Sequence, residues 1–220
     1  GGLASRMGQL TKDIPKSLLT IKGKPFIYYQ LFQLIDQGIT EVFLCLGHLG
    51  EKIENYITMD LNLELEIKFV YDGNSVLGTG GSILNAIKYL PNEFFVLYGD
   101  SYLNINYRAV YNEYILSNKH ALLTIYHNKG KFDSSNVQLR ENGEIIYSKN
   151  NKNKNMNFID YGLSLLTKDV FKKYFSHNVF DLSIVLESLS TQKQLAYYQA
   201  KNRFYEIGSK SGYENLKKNI

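Results

Sequence analysis

A chain of 220 residues, 44% of them hydrophobic, is long enough for one domain with a sizeable core, yet no apolar run reaches the roughly 18 residues of a membrane span. Its excess of four positive charges, from 25 basic and 21 acidic side chains, suits a small anionic substrate and is too weak to argue for nucleic acid. The single cysteine, Cys45, excludes an intramolecular disulfide, and no basic-then-apolar signal segment opens the chain, so a reduced, cytoplasmic setting is expected.

In chain order, Lys24-Pro25-Phe26 opens a helix with proline in its first turn, running to about Gln37 and stopped by Gly38. Ile39 to Gly47 reads as a buried strand, Gly50 to about Ile57 as a short helix, and Leu65 to Tyr71 as a second strand. A glycine loop, Gly78-Thr79-Gly80-Gly81, leads into a helix from Ser82 to Tyr89. Phe94 to Tyr98 is an apolar, aromatic strand ending at Gly99-Asp100. Beyond about residue 120 come shorter strands at Ala121 to Tyr126, Asn136 to Leu139 and Glu144 to Tyr147, the last two joined by a turn at Asn142-Gly143. Lys149 to Asn157, rich in lysine and asparagine, reads as a flexible loop before strand character resumes over Phe158 to Leu166. Helices are expected over Lys168 to Tyr174 and Asp181 to Leu189, then a strand near Leu195 to Tyr198 and a closing helix from Lys210. Strands alternating with helices indicate an α/β layer fold around a parallel sheet.

The opening stretch is the densest in chemistry. Gly1-Gly2-Leu3-Ala4-Ser5-Arg6-Met7 is followed by Thr11-Lys12-Asp13-Ile14-Pro15-Lys16. Two glycines let a backbone turn approach a ligand closely, and amides in such a turn can meet phosphates. Arg6 offers a planar fork and Lys16 a mobile point charge for one bound polyphosphate. Neither the Walker nor the GxGxxG spacing is present.

This stretch resembles the signature of the sugar-1-phosphate nucleotidyltransferases, GGxxxR(L/M)xPLTxxxPK, with Gly8-Gln9 in place of the usual residue-proline pair. Further family segments follow in the expected order, and the likeness covers nearly the whole chain. The overall plan looks most like the bacterial heptose- and mannose-1-phosphate guanylyltransferases. The resemblance implies a three-layer Rossmann-like α/β fold with a mainly parallel mixed sheet. It also implies one domain, in which residues 1–119 bind nucleotide and a smaller β-rich part, 120–220, binds the sugar phosphate. Relatives run a short apolar strand straight into the two glycines. A chain starting at Gly1 would lose that central strand and leave an open seam in the sheet, so residues before Gly1 are expected to be missing from this sequence.

Asp100 stands at the carboxyl end of a strand, where open α/β sheets bind ligands, and magnesium takes one or two carboxylates together with phosphate oxygens. The segment Leu97-Tyr98-Gly99-Asp100-Ser101 resembles the family's nucleotide-metal motif, which assigns Asp100 to Mg2+. An aspartate that merely starts a turn is the plain alternative. Glu206, in Phe204-Tyr205-Glu206-Ile207-Gly208-Ser209, resembles the aspartate of the family's D-I-G-T/S, the second metal ligand. Its extra methylene calls for a backbone shift or a bridging water, and a glutamate paired with a lysine is the alternative.

The resemblance also places Gly1, Gly2, Leu3, Gly78, Thr79 and Gly80 against the nucleotide. Gly78 to Gly81 match the LGTxG segment that faces base and ribose, although an ordinary glycine loop before a helix fits the local sequence equally well. Lys149, in Ser148-Lys149 where the family has Glu-Lys, would contact sugar and phosphate; a solvated lysine is the alternative. Asp160-Tyr161-Gly162 falls on the sugar-pocket segment. There Asp160 would accept hydroxyl hydrogen bonds and Gly162 would let a sugar ring approach, the alternative being an unliganded strand-edge aspartate. The four histidines lie far apart and do not suggest zinc. Ser5 has no histidine nearby in sequence, and Cys45 reads as inert core.

The implied reaction joins an NTP to a sugar 1-phosphate, giving NDP-sugar and pyrophosphate. Arg6 would hold the departing pyrophosphate and Lys16 the α-phosphate or sugar phosphate. GTP with a heptose or mannose 1-phosphate leads; UTP or CTP stays open. So does a non-catalytic regulatory homologue that binds nucleotide-sugar. A glycosyltransferase would usually show Asp-x-Asp at the strand end, whereas Asp100-Ser101-Tyr102 does not. Exposed aromatics in the second half permit a homodimer and do not demand one.

Overall fold

The computed structural model describes residues 11, 13–132, 134–150 and 155–220. Gly1, Gly2, Leu3 and Arg6 lie outside the described residues, as do residues 151–154 of the expected lysine- and asparagine-rich loop.

The first strands among the described residues form a small hairpin of β1 (Thr20–Ile21) and β2 (Lys24–Pro25). Pro25, in extended backbone, is the N-cap of α1 (Phe26–Asp36). The proline therefore stands one residue ahead of the helix instead of in its first turn, and its missing N–H costs no helical hydrogen bond there. β3 (Glu41–Leu46), α2 (Gly50–Asp60) and β4 (Glu66–Tyr71) form a strand-helix-strand unit whose strands pair in parallel, Glu41 opposite Glu66 through Leu46 opposite Tyr71. α3 (Gly78–Ala86) starts at Gly78 itself, so the glycines form the first turn of the helix and not a loop before it.

Next come β5 (Glu93–Leu97), β6 (Ser101–Leu103) and α4 (Tyr107–Ser117), then β7 (Ala121–His127), β8 (Val137–Leu139), β9 (Ile145–Tyr147) and β10 (Phe158–Thr167). Lys168–Tyr174 winds as a 3-10 helix rather than an α-helix. α5 (Leu182–Thr191), β11 (Leu195–Ala200), β12 (Phe204–Glu206) and α6 (Lys210–Asn219) complete the chain. β6, α4 and β12 had no counterpart in the sequence reading. α4 is set by Asn106, whose side chain accepts a hydrogen bond from the Ala109 amide at 2.8 Å and so caps the helix start.

The main sheet runs β11-β7-β10-β8-β9, with β5 also on β10. It is mixed: β11 and β7 are parallel, while β10 is antiparallel to β5, β7 and β8. Successive residues of its central strands serve opposite faces, as strand geometry requires. Leu122, Leu163 and Leu165 pack with Val110 and Tyr114 of α4. Leu123 and Leu166 pack with Ile83 of α3 and Val185 and Leu186 of α5. Helices thus cover both faces, giving the layered α/β architecture.

β3 is only half-buried apart from Leu46, contrary to the expectation of a buried strand. Among the described residues it pairs with β4 alone, so one edge of Val42-Phe43-Leu44-Cys45 has no strand beside it. Burial still pushes the Cys45 thiol up to about 11, with Asp72 adding to the rise. Cys45 therefore stays a protonated, unreactive thiol, as expected. At the far end, Ile207 and Leu216 pack on Ile21 and Phe26, which fastens α6 to the β1 hairpin and α1. Among the described residues, no helix is long and apolar enough to cross a membrane.

Candidate active site

β6 and β12 pair antiparallel with Ser101 opposite Glu206, and the Ile207 amide donates to the Asp100 carbonyl at 2.9 Å. This short ladder brings together two carboxylates that are far apart in the chain. Asp100 Oδ2 and Glu206 Oε2 lie 3.0 Å and 2.8 Å from the point where a β-carbon on Gly208 would sit. Lys16, in the 3-10 turn Lys16–Leu18, reaches the same point, its Nζ 3.8 Å away and 2.8 Å from Asp100 Oδ2. The ion pair is half-buried, with the two side chains 22% and 32% exposed.

The Glu206 carboxylate is held from behind. Its Oε2 accepts from the Gly208 amide and, at 3.0 Å, from the Ser209 amide. Its Oε1 accepts from Ser209 Oγ at 2.6 Å. These bonds aim the carboxylate along the start of α6; Oε2 already accepts twice, so the free lone pair of Glu206 is on Oε1. Asp100 and Glu206 converge beside Gly208, where a side chain would collide with both, and such a carboxylate pair fits a hard divalent cation that takes its remaining ligands from phosphates and water. The described residues contain no cluster of three or more His, Cys, Asp or Glu.

A second polar cluster lies close by, linked through Tyr98, two residues before Asp100. Tyr98 Oη donates to Asp160 Oδ2 at 3.2 Å and the Gly162 amide to Asp160 Oδ1 at 2.9 Å. Asn136 Oδ1 accepts from the Asp160 amide at 2.9 Å. Burial pushes the Asp160 carboxyl up to about 6. The bonds from Gly162 and Tyr98 and the charge of Lys149 oppose that rise, and Asp181 adds to it. Burial, with the negative charge of Asp160 nearby, also holds the Tyr98 and Tyr147 phenols well above their ordinary value. Both stay protonated donors.

Gly162 sits in a register shift of β10 with φ +99°, and a β-carbon there would come within 2.8 Å of Ser101 Oγ. The glycine is therefore required by the backbone and by Ser101, so its presence does not depend on a sugar. Lys149 Nζ is 2.7 Å from Asp181 Oδ2. Burial pushes Asp181 up, but Lys149 and the Ser183 amide outweigh it and hold the carboxyl below its usual value.

The glycine turn of α3 has a clear packing role. The amides of Gly80 and Gly81 both donate to the Phe180 carbonyl, at 3.0 and 3.1 Å, and Thr79 Oγ1 accepts from the Leu182 amide at 2.9 Å. A β-carbon on Gly80 would run into the Phe180 ring. These glycines let the backbone before α5 lie directly on α3, and the Gly80 and Gly81 amides are spent on that contact. The structure thus brings Lys16, Asp100 and Glu206 together, and Lys149 and Asp160 into an adjoining cluster. Sequence reasoning missed Tyr98, Tyr147 and Asp181. The one available signal was an aspartate directly before an apolar helix, a frequent N-cap.

A family model described as nucleotidyl transferase matches residues 1–220. The D-glycero-alpha-D-manno-heptose 1-phosphate guanylyltransferase of Campylobacter jejuni is 31% identical over 188 residues, which span 85% of this chain and 82% of the relative. The protein of the same name from Aneurinibacillus thermoaerophilus is 25% identical over 229 residues, covering 100% of this chain and 95% of its own. Among solved structures, HddC from Yersinia pseudotuberculosis matches with a TM-score of 0.80 at 25% identity, over 99% of this chain and 95% of that one. Its complex with GMP-PN matches with a TM-score of 0.79 at 26% identity and the same coverage. From fold, site and relatives together, the chain belongs to the nucleotidyl transferase family.

Proposed function

We propose that the protein transfers a guanylyl group from GTP to a heptose or mannose 1-phosphate, releasing pyrophosphate and serving surface-polysaccharide synthesis. The observation that carries this reading is the meeting of Lys16, Asp100 and Glu206 over Gly208, in a chain whose relatives are named for guanylyl transfer to a heptose 1-phosphate. The oxygen of the sugar phosphate attacks the α-phosphorus in line, and the bond to the bridging oxygen of the β-phosphate breaks. No covalent enzyme intermediate forms, so the protein's tasks are positioning and charge neutralisation.

Lys16 exchanges its bond to Asp100 for the α-phosphate when substrate arrives. Arg6, with Gly1, Gly2 and Leu3, is assigned by sequence pattern to the pyrophosphate and nucleotide, and Gly78, Thr79 and Gly80 to base and ribose. Lys149, Asp160 and Gly162 line the sugar-phosphate side, so residues 1–119 and 120–220 divide the two substrates between them. Asp100 and Glu206 would hold Mg2+, which when bound offsets the charge of the triphosphate. A cytoplasmic location is the reading that such substrates support.

The test is pyrophosphate release by the full chain with Mg2+, with GTP, CTP, UTP, ATP and dTTP each offered against a panel of sugar 1-phosphates. Release is expected with GTP and a mannose-type sugar phosphate. Release with CTP or UTP alone would keep nucleotidyl transfer and overturn the guanylyl assignment. Silence from folded protein with every pair would sink the enzymatic reading and favour a nucleotide-sugar-binding homologue.

A further inference from the structure

α5 holds Lys149 at two points. Glu187 Oε1 accepts from the Lys149 backbone amide at 2.8 Å and from Ser148 Oγ at 3.2 Å. Asp181, the N-cap of the helix, takes the side-chain ammonium on Oδ2 at 2.7 Å while its Oδ1 accepts the Ser183 amide at 2.9 Å. The backbone around Asp181 is in turn seated on the first turn of α3. Gly80 and Gly81 donate to the Phe180 carbonyl, and Leu182 donates to Thr79 Oγ1. On Gly78, a β-carbon would come within 2.5 Å of the Phe180 oxygen. A continuous run of hydrogen bonds and backbone contacts therefore leads from the glycine turn to the ammonium of Lys149.

We propose that Asp181 is a positioning residue for the sugar phosphate: its carboxylate fixes the Lys149 ammonium at a set place relative to the glycine turn of α3. This rests on the reading above that Lys149 meets the phosphate of the sugar. A lysine head on a flexible four-carbon stem is a poorly located charge. Anchored by its amide on Glu187 and its head on Asp181, it becomes a located one. An ammonium has three donors, and the Lys149 side chain is 52% exposed, so donors remain for an incoming phosphate while the bond to Asp181 persists. Asp181 thereby joins the nucleotide side of the cleft to the sugar side through one helix start.

The variant that isolates this role is Asp181→Asn. Asparagine caps a helix about as well as aspartate, so α5 keeps its start while the charge facing Lys149 is lost. With the sugar 1-phosphate that supports turnover, we expect KM for that substrate to rise about three- to fivefold, the range of a partly exposed ion pair. kcat, nucleotide KM and melting temperature should stay near wild type, and Asp181→Glu should restore part of the loss. Lys149→Met should raise the same KM, and the double variant should be no worse than Lys149→Met alone.

Calorimetric binding of mannose 1-phosphate reads the same change without turnover. An inactive wild type that binds mannose 1-phosphate, more weakly as Asp181→Asn, would sink nucleotidyl transfer and uphold Asp181. An active wild type whose KM is unchanged or lowered by Asp181→Asn, or a double variant with multiplied losses, would overturn the positioning role alone. Wild type that neither turns over nor binds would overturn both.

Discussion

Replacing Asp160 with asparagine separates what this residue contributes to folding from what it contributes to binding. The carboxyl titrates near 6 in the folded protein against 3.8 for the free side chain, because burial opposes its charge. Above pH 6 the folded state therefore carries an ionised group that the unfolded state would hold more comfortably. A displacement of that size corresponds to about 3 kcal/mol, taking about 1.4 kcal/mol for each pKa unit. The sign follows from proton counts: between about pH 4 and 6 the folded state binds more protons than the unfolded one, so this group's contribution falls as pH rises through that window. Asparagine keeps an acceptor for the Gly162 amide and an amide that can donate to Tyr98, and it never ionises. Asp160→Asn should accordingly be more stable at pH 7.5 by up to about 3 kcal/mol, which for a domain of this size is roughly 6–12 °C in Tm. The gain should shrink on acidification and vanish below about pH 4. Urea titrations of both proteins from pH 4 to 8 measure it. A variant no more stable than wild type at pH 7.5, or an advantage that grows as pH falls, would refute the assignment of burial as the dominant cause. The same variant should raise KM for the sugar phosphate, since Asp160 is the proposed acceptor for the sugar hydroxyls.

The remaining predictions concern other parts of the molecule. Lys16→Met and Asp100→Asn, each folded by circular dichroism, should lower turnover by orders of magnitude; near-normal pyrophosphate release from either would sink the site. Gly212→Ala puts a β-carbon into the Glu206 carboxylate and 2.6 Å from the Glu206 carbonyl, so kcat should fall at least about tenfold even though alanine favours a helix; a fully active variant would show that Glu206 can leave its place without consequence. Gly80→Ala drives a methyl into the Phe180 ring and should cost about 1–3 kcal/mol, read as a drop in urea midpoint, with α3 and α5 forced apart.

Elements with a strong local pattern could be read from sequence. Ala121 to Tyr126 is a run of apolar and β-branched residues and forms β7. The Asn142-Gly143 turn joins β8 to β9, with the Arg140 amide donating to the Glu144 carbonyl. Asp100 and Glu206 were singled out as candidates because each sits in a recognisable short motif. The strands that bring them together were not, since β6 and β12 have three residues each, too few to show a period, and exist only through each other. The same holds for Asp181, whose partner Lys149 is brought near by α5 packing on the sheet. Thr79, Gly80 and Gly81 were read as a loop because glycine is a poor helix former. Tertiary contact with Phe180 holds them in the first turn of α3 regardless. β3 was expected to be buried because its residues are apolar, and hydrophobicity does not report how many neighbouring strands a segment has.

The β6–β12 ladder makes the meeting of Asp100 and Glu206 depend on segments that are far apart in the chain. Glu206 waits for β12, which is fastened from two sides: Phe204 packs against Tyr126 and Tyr161, and α6 lays Leu216 against Ile21 and Phe26. Contacts between such distant segments form late, because the loop they close must be ordered first. The meeting of the two carboxylates is therefore among the late contacts of folding, although the strands that carry them have only three residues each.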